Sequence, residues 1–391
     1  MRLLVITNRY PMDDSDDASP FVRDFCVALR AEGCDLRVLT PHYPHKGPVR
    51  DPWLSRFAWV RSDRVLGQLS LFNPADLYKA AVAVVAGKKA ALALARQFSP
   101  DFTLALWALP SGYWALQVAL RLGVPYGVWC LGSDIQVWGR RPILKGFVRR
   151  VLRHAKLRYA DGFALAAETA LLGPGTCAFL PTMRRLPESR DQEMPHPEAG
   201  RRYFLFLGRL SPEKGVLDLL DAAARLDAAT EFGIVFAGIP DGRVNVEGEI
   251  AQRRLERICH YAGHLEGREL LSWLCHAEAV VLPSHRDSIP LVLGEAVQVG
   301  TPVLCSDLPD FTAVLARYRV GATFPARRPD LLARALVHYL PPDNYAAERI
   351  RFLADFSPEG AARRVLADVR GTLGKQEASS VAAQAEVPAY G

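Results

Sequence analysis

The chain has 391 residues, of which 50% are hydrophobic and 23% are charged, so it can bury a sizeable core and is too long for one ordinary domain. Its 48 Lys and Arg residues against 42 Asp and Glu residues give a net charge of +6. This excess is too mild and too dispersed for the usual nucleic-acid-binding protein, in which basic residues form a dominant face. The charge instead favours an anionic small ligand or a lipid surface as the partner.

The cysteines and the N-terminus indicate the compartment. Seven cysteines are scattered along the chain and are never spaced as C-x-x-C, so the sequence predicts neither a disulfide framework nor a zinc site. The first residues, MRLLVI, lead directly into an apolar strand without the features of a signal peptide. We therefore expect a protein of the reducing cytoplasm.

The first half of the chain alternates short apolar runs with longer amphipathic segments, a pattern typical of a parallel sheet wrapped in helices. A helix is predicted over residues 21–32. The uncharged stretch 102–120 approaches the length of a membrane span, but Pro110-Ser111-Gly112 interrupts it, so we interpret it as a strand, a turn and a helix. The predicted strands of this half are residues 3–7, 36–40, 104–108, 126–130 and 162–166.

The same alternation returns in the second half, where the predicted strands are residues 203–207, 233–237, 258–261, 279–282 and 303–305. The sequence therefore predicts an α/β protein of two Rossmann-like, doubly wound parallel-sheet domains that face each other across a cleft at the carboxyl ends of their strands. No G-x-G-x-x-G follows the first strand, which argues against a dinucleotide-dependent dehydrogenase. The expected divisions are an N-terminal domain at 1–185, a linker at 186–202, a C-terminal domain at 203–355, a helix at 356–374 that packs back toward the N-terminal domain, and a disordered tail at 375–391.

The strand at 203–207 runs into the first candidate segment, GRLSPEKG. Ser211 and Pro212 are typical N-cap and N1 residues, so a helix is predicted to begin there. Arg209 offers a fork of donors, and Lys214 in a first helical turn is electrostatically disfavoured unless an anion joins it. A diphosphate would supply that anion. The alternative is a solvated Arg and Lys at a domain surface.

A second candidate segment, PSHRDSIPLVLGEA, follows the strand at 279–282. Asp287 is predicted in a loop, and Glu295 lies eight positions later on the following helix. Carboxylates in a segment rich in Leu, Val and Ala need partners, and sugar hydroxyls are donors of the right kind. The alternative is structural, with an N-cap Asp and a core-edge Glu in a salt bridge.

Together these residues resemble the retaining, family 4-like (group 1) nucleotide-sugar glycosyltransferases of the GT-B fold, whose C-terminal domain carries an Arg, a Lys and an E-x7-E pair in this order. The resemblance covers nearly the whole chain. It implies that the catalytic residues are Arg209 and Lys214, which neutralise the donor diphosphate, and Asp287, which contacts the transferred sugar. Glu295 would hold the ribose hydroxyls. The backbone that it places near the donor is that of Gly208, Ile289, Pro290, Leu291 and Val292.

The N-terminal half adds weaker matches, each at a predicted strand end. The residues expected at the acceptor or in the cleft are Tyr10, Trp107, Ser111, Gly112 and Asp134. Two positions depart from the family pattern. Leu131 stands where His often precedes the glycine, and Asp287 replaces the first Glu.

The segment 143–158 contains an apolar helical stripe that is surrounded by basic residues, with no acidic residue between them. The stripe consists of Ile143, Leu144, Phe147, Val148, Val151, Leu152 and Ala155. The basic residues assigned to a membrane contact are Lys145, Arg149, Arg150, Arg153 and Lys156. One interpretation is a core-facing helix with a solvated basic side. The other is contact with anionic lipid headgroups, which suits a lipid-linked acceptor.

The resemblance implies a glycosyltransferase that moves a sugar from a nucleoside-diphosphate sugar to a saccharide or lipid-linked acceptor, with retention and without a metal or other cofactor. We expect it in the synthesis of cell-envelope glycans or glycolipids, in the cytoplasm or on the inner face of the membrane, with no nucleic acid as a partner. UDP, GDP and ADP sugars all remain candidate donors. The alternative functions are a nucleotide-sugar epimerase of the same fold and a non-catalytic subunit that binds nucleotide sugars.

Overall fold

The computed structural model describes residues 1–12, 19–43, 51–60, 66, 73–187, 201–227 and 229–385, with side chains up to residue 375. The chain forms two compact units. The first consists of residues 1–181 together with 358–391, and the second of residues 182–357. Most of the predicted linker, residues 188–200, lies outside the described residues.

The first unit contains a seven-stranded parallel sheet in the order β3-β2-β1-β4-β5-β6-β7. Its strands are β1 (Arg2–Thr7), β2 (Asp35–Pro41), β3 (Leu54–Phe57), β4 (Phe102–Leu106), β5 (Tyr126–Cys130), β6 (Leu157–Ala160) and β7 (Ala178–Phe179). Its helices are α1 (Pro20–Ala31), α2 (Pro74–Phe98), α3 (Ser111–Leu122), α4 (Pro142–His154) and α5 (Phe163–Ala170), and a π-helical turn spans Asp134–Trp138. Every residue of β4 and β5 is buried, which explains why these central strands read as uninterrupted apolar runs.

The prediction of a strand at residues 162–166 is wrong. Helix α5 occupies this position, and the strand of this region, β6, lies just before it. A short apolar run does not distinguish a strand from a buried helix, and the three alanines in 163–167 favour the helix. Strand β6 was not predicted, because Leu157 and Arg158 continue the apolar and basic pattern of the segment 143–158.

The second unit contains a six-stranded sheet in the order β10-β9-β8-β11-β12-β13. Its strands are β8 (Tyr203–Leu207), β9 (Gly233–Ala237), β10 (Cys259–Gly263), β11 (Ala279–Leu282), β12 (Val303–Ser306) and β13 (Gly321–Phe324). Its helices are α6 (Val216–Ala223), α7 (Val246–Arg253), α8 (Gly267–His276), α9 (Leu291–Val299), α10 (Pro309–Tyr318), α11 (Pro329–Val337) and α12 (Tyr345–Phe356). The predicted bounds of β8, β9 and β11 match the structure to the residue, whereas the edge strand β13 was not predicted.

The second unit begins before the predicted linker. Gln298 in α9 explains this, because its side chain accepts from the Leu186 amide at 2.7 Å and donates to the Arg184 carbonyl at 2.9 Å. Met183 packs against Gly294 of the same helix, where an added Cβ would lie 3.1 Å from Met183 Cγ. Residues 182–187 are therefore held by α9 and belong to the second unit.

The chain returns to the first unit through the last helix, α13 (Pro358–Ala385). Asp368 accepts a hydrogen bond from the Tyr159 hydroxyl at 2.8 Å. Arg363 forms an ion pair at 3.2 Å with Glu32, the residue that follows α1. The helix extends beyond the predicted end at residue 374, so residues 375–385 are helical and not a disordered tail. Residues 386–391 lie outside the described residues.

The uncharged stretch 102–120 is divided between β4 and α3, as the interrupting Pro110-Ser111-Gly112 indicated. Over the part of the chain that the structure describes, none of the helices combines the length and the apolar character that crossing a bilayer requires.

Candidate functional site

Two glycines bring the loops at the carboxyl ends of the second sheet into close contact. Gly238, after β9, has a φ of +138°, and a Cβ there would lie 1.8 Å from the carbonyl oxygen of Gly208 after β8. Gly215 has a φ of +74°, and its Cβ would lie 1.9 Å from the carbonyl oxygen of Pro283 after β11. The loops after β8, β9 and β11 therefore pack backbone to backbone, at the edge of the sheet where parallel α/β proteins bind ligands.

The helix that was predicted to begin at Ser211 begins later. Pro212–Lys214 form one 3₁₀ turn, Gly215 follows in the left-handed region, and α6 starts at Val216. The Ser211 side chain forms no cap hydrogen bond. The reason is tertiary, since continuing the helix through residue 215 would lose the left-handed backbone that lets the loop contact Pro283. Lys214 thus lies in the loop before the helix and not in its first turn.

This loop contact brings Lys214 to Asp287. The Lys214 Nζ atom lies 2.5 Å from Asp287 Oδ2, and the Ser284 hydroxyl donates to the same oxygen at 3.1 Å. Ser284 is itself fixed, because its carbonyl oxygen accepts from the Ser306 hydroxyl at 2.7 Å. Two of the three residues to which the sequence assigned catalysis therefore meet directly, while the third, Arg209, is exposed on the same loop as Lys214.

A further pair at this edge was missed by the sequence analysis. His285 Nε2 lies 2.8 Å from Asp218 Oδ2, and the His285 amide donates to the Glu213 carbonyl at 2.9 Å. Asp218 lies in the first turn of α6. The pair ties the loop after β11 to the segment that carries Lys214. Neither residue stands out in the sequence, because their partners are distant along the chain.

Glu295 occupies a different environment, on the buried face of α9. Its Oε1 atom lies 2.6 Å from Arg184 Nε, and the two side chains are 5% and 14% exposed. Charged groups are rarely buried to this extent unless they are paired. Arg184 was not identified from the sequence, since it lies in the Pro- and Arg-containing segment before the predicted linker and gives no local signal. The structural alternative that the sequence left open, a Glu in a salt bridge, describes this contact.

The backbone predicted near the donor forms the start of α9. Ile289 is buried, Pro290 is the N-cap, and Leu291 and Val292 lie in the first turn. The first amides of a helix have no intrahelical acceptor and point along the positive end of the helix dipole. The start of α9, four residues after Asp287, thus offers backbone amides that have no intrahelical acceptor.

Tyr10 and Asp134 are buried side chains that form hydrogen bonds within the first unit. Tyr10 is fully buried, and its hydroxyl donates to Asp51 at 2.5 Å, while Arg23 binds both oxygens of the same carboxylate at 3.1 Å. Asp134 is also fully buried and accepts from the amides of Ala108 at 2.7 Å and Leu131 at 3.2 Å. Asp134 therefore ties together the loops that follow β4 and β5.

Of the remaining candidates of the first unit, Trp107 lies in the loop after β4, and Ser111 and Gly112 are the first two residues of α3. Trp107 has a φ of +70°, which is unusual for a residue with a side chain, and its carbonyl accepts from the Gly112 amide at 3.1 Å. Ser111 is buried. The sequence placed Trp107, Ser111, Gly112 and Asp134 in one functional region. The structure joins Asp134 to the loop that carries Trp107 through the Ala108 amide, and a role of these residues at an acceptor stays a prediction.

The buried Asp134 carboxyl gives a prediction for the pH dependence of stability. Burial raises its pKa to about 6, although the hydrogen bonds from backbone amides act in the opposite direction. Because this pKa is higher than the unfolded value of about 3.9, the folded chain retains a proton that the unfolded chain has lost. The associated stabilisation is complete below about pH 4 and is lost as the pH rises through about 6.

We therefore expect wild type to lose about 3 kcal/mol relative to Asp134→Asn between about pH 4 and pH 6. Urea unfolding of both proteins across this window measures the difference. The comparison at each pH cancels the titration of all other groups. Parallel stability curves for the two proteins would show that the carboxyl titrates normally.

The basic segment has features of both interpretations, because part of its apolar stripe is buried and part is exposed. Its C-terminal apolar residues, Val148, Val151 and Leu152, pack in the core, while Ile143 and Phe147 of the same helix are 79% and 47% exposed. Lys156 and Arg158 lie beyond the end of α4. The Arg158 guanidinium donates to the carbonyls of Leu152 and Ala155 at 3.1 and 2.8 Å. The other four residues assigned to the membrane, Lys145, Arg149, Arg150 and Arg153, are on α4.

Comparison with known proteins adds independent information. Residues 189–350 match the family model for glycosyl transferases group 1. Over 362 residues the chain is 24% identical to a Bacillus subtilis protein named as the teichuronic acid biosynthesis glycosyltransferase TuaC, and the match covers 87% of this chain and 89% of that protein.

Two solved structures are similar over nearly their whole length. The lipopolysaccharide outer core galactosyltransferase WaaB matches with a TM-score of 0.67 at 13% sequence identity, covering 95% of this chain and 99% of that one. Anabaena HepE in complex with UDP matches with a TM-score of 0.62 at 14% identity, covering 98% and 100%. At these identities the likeness shows the fold, which is GT-B.

Proposed function

Since this chain belongs to the group 1 glycosyltransferases and has the GT-B fold, we propose that it transfers a sugar from a nucleoside-diphosphate sugar to an acceptor hydroxyl, with retention of configuration. The observation that carries this proposal is the contact of Lys214 with Asp287 across the loops after β8 and β11. This pair would offer a cation to a phosphate and a carboxylate to sugar hydroxyls at one point. The names of TuaC and WaaB support a role in cell-envelope glycan or glycolipid synthesis.

The donor diphosphate would be held by Arg209 and Lys214. Lys214 Nζ is in contact with Asp287, so binding of a diphosphate exchanges one anionic partner for another and releases the carboxylate for the hydroxyls of the sugar. The exposed Arg209 presents a planar fork that matches phosphate oxygens. The UDP complex of HepE supports a nucleoside diphosphate as the leaving group.

Glu295 would accept hydrogen bonds from the ribose hydroxyls. Its carboxylate is fixed by the 2.6 Å contact with Arg184, and we propose that Arg184 is a positioning residue, which orients the Glu295 carboxylate. A preorganised carboxylate loses little freedom when the ribose binds. Arg184 is therefore part of the donor site through Glu295.

In the proposed reaction the bond from the anomeric carbon to the leaving phosphate oxygen breaks, and a bond to the acceptor oxygen forms on the same face. The acceptor proton moves to an oxygen of the departing diphosphate. Arg209 and Lys214 stabilise the negative charge that develops on this leaving group. The step requires neither a protein base nor a metal ion, since the leaving group accepts the proton and the two cations neutralise it.

The experiment that tests this function is incubation of the protein with UDP, GDP and ADP sugars and a saccharide acceptor, with detection of the released nucleoside diphosphate. We expect release with one donor class, an anomeric configuration by NMR equal to that of the donor, and full activity in EDTA. An inverted product, or activity that EDTA abolishes and Mg²⁺ restores, would contradict the proposed mechanism. An epimerase would instead change the sugar without transfer, and a non-catalytic subunit would bind without turnover.

We also propose that α4 contacts an anionic membrane surface and that the acceptor is lipid-linked. The exposed Ile143 and Phe147 support this proposal, because they follow each other at a spacing of four on one flank of the helix. Arg150 and Arg153 are exposed on the same helix. Basic residues beside exposed apolar ones favour binding at the headgroup region of an anionic bilayer.

A further inference from the structure

A recess of about 540 Å³ lies in the first unit, bounded by the turn at 134–138, the beginning of α4, the end of α5 and the residues that follow α5. We infer that it binds a phosphate ester that carries an apolar chain. Its polar lining consists of Arg140, Lys145, Arg149 and Glu168, and its apolar lining includes Ile135 and Leu171. None of these residues belongs to the donor site proposed above.

The charges of the recess are unbalanced. Lys145 and Arg149 are four residues apart and therefore lie on the same face of α4, where two like charges repel each other. Among the residues that the structure describes, no acidic side chain forms an ion pair with either of them. The only carboxylate in the lining, Glu168, pairs with Arg140 at 3.6 Å. Three cations thus face one anion across a small space.

A phosphate monoester has the charge that this arrangement lacks, since it carries about −1.5 to −2 near neutral pH. It also has several oxygens that accept from a guanidinium and an ammonium group at once. A ligand of this charge would remove the repulsion between Lys145 and Arg149. A single carboxylate would neutralise only half of the excess.

The apolar lining indicates what the phosphate is attached to. Leu171 is 83% exposed directly beside these cations. Leu172, the next residue, is half-buried and contributes a further apolar side chain. An inorganic phosphate ion would gain nothing from these residues, whereas an apolar chain on the phosphate would cover them and remove their surface from water.

The recess is distinct from the flank of α4 that we assign to general membrane contact. At 100° per residue, Ile143 and Phe147 lie on the opposite flank of the helix from Lys145 and Arg149. Arg150 and Arg153 are exposed on the same helix and do not line the recess. A membrane lipid as the source of the phosphate rests on the membrane contact proposed above, but binding of the phosphate ester does not.

This difference supplies a matched control. The variant Lys145→Gln/Arg149→Gln removes two charges from the recess, and Arg150→Gln/Arg153→Gln removes two charges from the same helix outside it. Both are made in an Arg209→Ala background, so that phosphate binding at the donor loop is weakened to the same extent in all the proteins compared. Calorimetric titration with hexyl phosphate and with inorganic phosphate measures binding, and thermal unfolding checks that both variants fold.

We expect the Arg209→Ala parent and the control to bind hexyl phosphate alike and more tightly than inorganic phosphate, and the recess variant to bind it at least tenfold more weakly. Equal weakening in both double variants would show a general effect of charge and overturn the inference. Absence of hexyl phosphate binding to the parent would do the same. The titration requires no turnover, so it tests the recess independently of the proposed transferase function. Hexyl phosphate binding can be absent while wild type transfers sugar, and it can be present while wild type does not.

Vesicles distinguish the source of the ligand. Phosphatidic acid presents a phosphate monoester and phosphatidylglycerol a diester, and the two vesicle types are matched in surface charge. If the ligand is a lipid, wild type should sediment more with phosphatidic acid, and only the recess variant should lose this preference. If hexyl phosphate binds without such a preference, the recess takes a soluble phosphate ester and the lipid source is wrong.

Discussion

Arg209→Ala is expected to lower kcat/KM about 10²- to 10³-fold, and the double variant Arg209→Ala/Lys214→Ala should lower it further. The reason is that both cations would stabilise the charge that develops on the diphosphate as the glycosidic bond breaks, and loss of one preorganised donor costs about 3 to 4 kcal/mol at such sites. Steady-state release of nucleoside diphosphate measures the effect. Binding of the free nucleoside diphosphate should weaken in parallel.

The control for this experiment is Arg225→Ala, in the same unit. Arg225 is exposed just after α6, where its side chain donates to the Asp221 carbonyl at 2.6 Å. The Arg225→Ala variant removes the same charge from the second unit and leaves the loop after β8 unchanged. Unchanged turnover in a folded Arg209→Ala/Lys214→Ala protein would remove the donor site from this loop.

The second large effect is expected at Arg184. Because the Arg184–Glu295 pair is almost fully buried, Arg184→Met should destabilise the second unit by about 3 to 5 kcal/mol, as removal of one partner from a buried ion pair does. Denaturant unfolding measures this loss. The same variant should also bind the donor more weakly, since the remaining carboxylate is no longer oriented.

A second variant separates the structural role of this pair from its role in binding. Arg184→Met/Glu295→Gln removes both charges, so it should regain most of the lost stability. Donor affinity should stay low, because a neutral amide forms weaker hydrogen bonds with two ribose hydroxyls than a carboxylate does. If donor affinity returned together with stability, Glu295 would have only a structural role.

The sequence by itself determined the class of fold and indicated the residues that we propose for the donor loops. Strands such as Tyr203–Leu207 and Ala279–Leu282 were predicted to the residue because strands buried on both faces read as continuous apolar runs. Arg209, Lys214, Asp287 and Glu295 were identified because their residue types and spacing follow strand ends in an order that the family pattern shares. Where the pattern was purely local and short, as at residues 162–166, it did not separate a helix from a strand.

Only the tertiary structure decided what these side chains contact. The start of α6 moved to Val216 because Gly215 must approach Pro283, a residue of another loop. The sequence did not identify Arg184 as the partner of Glu295, and it did not show that Lys145 lines a recess whereas Arg150 does not. Both facts depend on which surface each side chain faces after the helices and strands pack. Local propensity acts over a few neighbouring residues, whereas burial, ion pairing and the close approach of two backbones are set by contacts between segments far apart in the chain.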